Sequence, residues 1–104
     1  MERRQDPRFP AELSGMLTRL SGPEPRLPVL IEDISEGGIR FETPEALESG
    51  SFILVEIDDS TLIGEVKYCR PGERGYCAGV LVERVLMGES PLSRLIESML
   101  TTAY

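Results

Sequence analysis

Hydrophobic and polar residues alternate in short runs along most of the chain, and turn-forming residues separate the runs. Residues 26–34 (RLPVLIEDI) predict a strand with an edge-type proline at Pro28. SEGG (35–38) predicts a tight turn, and IRFE (39–42) alternates again. Residues 43–50 form a connection with room for one helical turn. Residues 51–58 and 61–70 predict two strands joined by Asp58–Asp59–Ser60. In the second, Leu62, Gly64, Val66 and Tyr68 share one face, against mostly polar Thr61, Glu65 and Lys67. RPGERG is a further hairpin loop, and residues 76–85 a further strand. Residues 11–20 place Leu13, Met16, Leu17 and Leu20 irregularly, as a strand or a short helix, and Gly15 weakens the helix. The fold class that follows is mainly β, a small antiparallel barrel or sandwich. The C-terminus changes period. Ser90 is a candidate N-cap with Pro91 at the first helical position. Leu92, Leu95, Ile96, Met99 and Leu100 then form an amphipathic stripe. That stripe covers an open end or face of the barrel; a helix–helix contact in a homodimer is the alternative.

Length and composition narrow the function classes. With 104 residues, 40% hydrophobic and 28% charged, the chain suits one folded domain. No apolar run approaches the roughly 20 residues of a membrane span, and MERRQDPRFP lacks the apolar centre of a secretory signal. A cytoplasmic location is therefore expected. There is no histidine and there are two cysteines, which excludes histidine-based acid–base catalysis and starves the usual metal sites of ligands. The net charge is −7, with +1 in residues 1–26 and −8 in residues 27–104. Such a balance opposes generic binding to DNA, RNA or anionic membrane. Six aromatics without tryptophan also make a poor stacking platform for nucleic acid. A small anion held by a few arginines remains open. Ten arginines against one lysine (Lys67) fit planar, bidentate recognition, although a GC-rich genome gives the same bias. A turn centred near Glu73 would set Cys69 opposite Cys77, so a cross-strand disulfide is conceivable. Reduced, semi-buried packing cysteines are the expectation in a cytosolic chain.

Two short motifs carry candidate chemistry. The first is Arg3-Arg4-Gln5-Asp6-Pro7-Arg8, an R-x-x-x-R run. On its own it reads as a solvated basic tail. The second is Asp33-Ile34-Ser35-Glu36-Gly37-Gly38, a D-x-S-x-x-G turn. Alone it reads as a hairpin turn in which Asp33 and Ser35 bond the backbone and Gly38 supplies positive φ. Asp33 and Ser35 have no base partner, so they make a poor nucleophilic site and no enzyme is expected.

Taken together on this strand pattern, the two motifs resemble the signature of the PilZ domain family. The resemblance runs across nearly the whole chain, with Gly79-Val80 in a late strand and a terminal helix in the family's order. It implies a six- or seven-stranded antiparallel barrel with a C-terminal helix that binds the bacterial second messenger cyclic di-GMP. Residues 1–10 would be a flexible arginine-motif segment, and residues 11–104 the barrel and helix. By carry-over, Arg4 and Arg8 are the motif arginines that clasp phosphate and guanine, and Arg3 adds a third contact. In the family, an arginine placed as Arg3 is tends to go with two stacked ligand molecules. Asp33 accepts from guanine N1–H and N2–H₂, Ser35 bonds base or phosphate, and Gly38 allows close approach. Arginine chemistry agrees, because a guanidinium pairs bidentately with guanine or phosphate and stacks on purines. No metal or cofactor is implied beyond the ligand. The chain is expected to act as a stand-alone domain, with a downstream protein partner or self-association carrying its output. The competing expectation is a barrel adaptor that binds protein and no nucleotide.

Overall fold

A computed structural model describes residues 8–21 and 26–101, with side chains from Glu12 onward. Among them are six strands, β1 (Arg8–Arg19), β2 (Leu27–Ser35), β3 (Gly38–Thr43), β4 (Phe52–Ile57), β5 (Ser60–Gly72) and β6 (Gly75–Leu86), followed by the helix α1 (Pro91–Thr101). The strands close into an antiparallel barrel in the order β1-β2-β3-β6-β5-β4. Closure removes the unpaired sheet edges that a six-stranded open sheet would leave. Of residues 11–20, ambiguous in sequence, all but Leu20 are strand, because β2 and β4 pair with them on both sides. β1 begins at Arg8, so it overlaps the expected arm of residues 1–10 by three positions. The 43–50 connection carries no helical turn.

Inward residues of every strand fill the core: Leu17, Val29, Ile31, Ile34, Ile39, Phe41, Ile53, Val55, Ile57, Leu62, Val66, Ala78 and Val80 are buried. The chain direction places the β2–β3 turn, the β4–β5 turn and the end of β6 at one end of the barrel. Helix α1 lies across this end. At its start, the Ser93 amide donates to Ser90 Oγ at 3.0 Å, the N-cap anticipated from sequence. At its finish, the Gly37 amide of the β2–β3 turn donates to the Leu100 carbonyl at 3.0 Å. Ile96, Met99 and Leu100 are buried, but Leu95 of the expected stripe is 54% exposed. Ser93 takes the inward position instead, bonded to Ser60 at the mouth of the barrel. No helix among the described residues is long and apolar enough to cross a membrane.

Three local expectations are corrected. Positive φ in the SEGG turn falls on Gly37 (75°), not Gly38. Gly72 pairs with Gly75, so Cys69 faces Ala78 and Cys77 faces Arg70. The two thiols thus point to opposite faces of the sheet and are free. Finally, the run Leu62, Gly64, Val66 does not continue to Tyr68. Lys67 is the extra residue of a bulge between Val66↔Val80 and Tyr68↔Gly79, and it reverses the alternation. Tyr68 turns outward, while Cys69 packs on the core.

Candidate ligand-binding groove

The outer face of the barrel has a groove where β2, β3, β6 and β5 run side by side. Tight turn geometry builds its first wall. With only Glu36 and Gly37 in the turn, Ser35 pairs with Gly38, Ile34 with Ile39 and Asp33 with Arg40. Ile34 and Ile39 face the core, so Ser35, Gly38, Asp33 and Arg40 face outward. Asp33 owes this orientation to a second bulge. Val29 and Ile31 point inward, and strict alternation would send Asp33 inward as well. Glu32, the extra residue between Ile31↔Phe41 and Asp33↔Arg40, rotates it to the outside.

One cross-strand row therefore reads Asp33, Arg40, Gly79, Tyr68 across four strands. The adjacent row reads Arg8, Ser35, Gly38, Leu81. Each row has a glycine near its middle, and at Gly79 the missing side chain lets the Tyr68 ring lie against the strand. A Cβ on Gly79 would fall on the Tyr68 ring, and one on Gly38 would press on the Val80 carbonyl at 3.0 Å. The resulting open groove holds about 200 Å³. Asp33, Ser35 and Gly38 line it together with Arg40, Lys67 and Tyr68. Arg70 lies over the Tyr68 ring, 4.8 Å from its centroid.

The electrostatics centre on Arg40. Its Nη2 is 2.7 Å from Asp33 Oδ2, and Asp33 is 6% exposed beneath it. Arg40 Nε is buried and has no hydrogen-bond partner; Glu32 Oε1 is 3.7 Å away, within ion-pair range but too far for a hydrogen bond. Burial raises the Glu32 carboxyl above its ordinary value, and a hydrogen bond with Glu42 adds to the rise. Cys77, on the same outer face, has its thiol raised chiefly by burial, so it is no activated nucleophile.

Of the residues singled out in sequence, Asp33, Ser35 and Gly38 meet in the groove. The backbone of Arg8 pairs with Ser35 at its rim, and the Arg8 side chain lies outside the described residues. Arg3 and Arg4 lie outside them altogether. Sequence reasoning missed Arg40 and Tyr68. The first was within reach: a two-residue turn at Glu36–Gly37 fixes Asp33 opposite Arg40 by register alone. The second was not, because the bulge at Lys67 leaves no mark in the apolar pattern.

A closed barrel with a polar groove beside a short turn is the architecture of a small ligand-binding domain. The PilZ domain family matches residues 2–99, and the chain belongs to that family. PilZ domains are receptor domains for cyclic di-GMP rather than enzymes. No curated protein matches the chain.

Proposed function

We propose that this protein binds cyclic di-GMP in the groove and passes the signal to a protein partner. Asp33 accepts the N1–H and N2–H₂ donors of one guanine, Ser35 bonds base or phosphate, and Gly38 lets the ligand approach the backbone. Arg4 and Arg8 clasp phosphate and guanine from the N-terminal segment, and Arg3 supplies a third contact. The observation that carries this reading is the meeting of Asp33, Ser35 and Gly38 on one outward face, beside the start of β1. Volume supports the role of the arginine segment. Sites for drug-sized ligands measure ~300–1,000 Å³, and the groove at about 200 Å³ suits one guanine rather than a whole dinucleotide. A second element must cover the remainder, and the residues preceding β1 are the nearest in sequence to the rim. Because the messenger is intracellular, the receptor acts in the cytoplasm.

Calorimetric titration with cyclic di-GMP, with GTP as control, tests the assignment. Three or four charge-assisted bonds lead to micromolar affinity, about −8 kcal/mol. Arg8→Ala should lose at least about 2 kcal/mol, or about 30-fold. No heat from folded wild-type protein overturns the receptor reading, and unchanged affinity in Arg8→Ala overturns the role of that side chain.

A further inference from the structure

We propose that Arg40 is a built-in stand-in for guanine, holding the Asp33 carboxylate until the ligand displaces it. This deepens the reading above and rests on it. The argument begins with the donors. The N1–H and N2–H₂ edge of guanine is itself a guanidine fragment: coplanar N–H groups around one carbon. An arginine side chain presents the same planar fork. One arm of that fork, Arg40 Nη2, lies 2.7 Å from Asp33 Oδ2, so an atom expected to receive guanine is already bonded to its chemical likeness. Asp33 is 6% exposed and Arg40 Nη2 occupies its Oδ2, so a base that pairs with that oxygen has to move the guanidinium.

The displaced guanidinium has a destination. Arg40 Nε is a buried donor without a hydrogen bond, 3.7 Å from Glu32 Oε1. Shortening that gap by less than an ångström makes a charge-assisted bond and satisfies the orphan donor. Glu32 faces this exchange from the bulge of β2, and Glu42 of β3 shares a hydrogen bond with it. Arg40 thus moves between two carboxylates, Asp33 in the empty groove and Glu32 in the filled one. Asp33 keeps this counter-ion in the absence of ligand, beside its other contacts.

The sign of the effect separates this role from ordinary ligand contact. Cyclic di-GMP carries two negative charges, so loss of a cation that touches it weakens binding. Loss of a competitor tightens binding. We expect Arg40→Ala to bind cyclic di-GMP about five- to tenfold more tightly than wild type in calorimetry. Arg40→Lys keeps the charge without the fork and should fall between the two; it decides the matter if Arg40→Ala does not fold. Glu32→Gln should weaken wild-type binding about threefold and leave Arg40→Ala unchanged, since without Arg40 there is nothing to receive. Weaker or unchanged binding in a folded Arg40 variant overturns the proposal while the receptor reading stands. Absence of binding by wild type removes the receptor reading itself, and this proposal with it.

Discussion

A methyl group added at Gly79 would fall on the ring of Tyr68, whereas one added at Gly64 would meet Val80 Cγ1 at 2.7 Å and the Leu81 backbone. The two collisions have different consequences. An aromatic ring at the end of its side chain can swing away, and a paired strand cannot. Gly79→Ala should therefore keep the fold and dislodge the groove wall, lowering cyclic di-GMP affinity about fivefold, the worth of about one aromatic contact. Gly64→Ala should instead overpack the barrel and lower unfolding free energy by about 1–3 kcal/mol. Calorimetry and urea denaturation on both variants check the contrast; equal stability losses would contradict it. The same residues show what could be read in advance. Gly64 was legible as an inward position, because Leu62 and Val66 flank it in phase. Asp33, Ser35 and Gly38 were legible as neighbours, because the turn between them is too short for any other register. The outward aim of Asp33 and Tyr68 was not, since each depends on a bulge one residue upstream, at Glu32 and Lys67. A bulge changes the phase of a strand without changing its composition.

Helix α1 shows the same division between local and distant information. Its start was written locally in Ser90 and Pro91. What holds the helix to the barrel was not, because the anchor lies about thirty residues upstream, in the β4–β5 turn. Asp59 Oδ2 accepts from the Glu89 and Ser90 amides at 3.0 and 3.1 Å, and Oδ1 accepts from Ser90 Oγ at 2.8 Å and from Ser93 Oγ. A carboxylate at a helix N-terminus meets unpaired amides and the positive end of the dipole. The serine hydroxyls, first Ser93 and then Ser90, hold the Asp59 carboxyl down to about 2, against an ordinary 3.8. The folded protein thus binds this proton less readily than the unfolded chain. The resulting stability is present above pH 3.8 and fades as pH falls towards about 2. Asp59→Asn should accordingly be less stable than wild type at neutral pH, with the gap closing through that window. Urea midpoints measured from pH 7 to pH 2 test it, and a gap constant with pH would rule out the carboxylate as the anchor. Removing only the cap, in Ser90→Ala, should cost about 1 kcal/mol.

At the scale of the whole molecule, one end of the barrel carries both the candidate ligand turn and the helix that plugs it. Asp59 fixes α1 at its first residues, and the β2–β3 turn meets its last ones. Two backbone bonds make that second junction: the Gly37 amide donates to the Leu100 carbonyl at 3.0 Å, and the Val82 amide donates to the Gly37 carbonyl at 2.7 Å. Gly37 therefore ties together three elements, and it lines the groove as well. A ligand that bonds Ser35 and packs on Gly38 would restrain the flanks of this residue, and the Gly37–Leu100 hydrogen bond would carry that restraint to the end of α1. Binding to the native state also stabilises it globally, by an amount set by ligand concentration over Kd. Local and global protection can be separated by hydrogen exchange. With cyclic di-GMP in excess, the Gly37 and Val82 amides and the last turn of α1 should slow by more than the global stabilisation accounts for. The Glu73–Arg74 turn, at the far end of the barrel, should not. Uniform slowing at both ends would mean that the helix senses only overall stability. Slowing confined to Gly37, Val82 and α1 would show that the plugged end senses an occupied groove beyond overall stability.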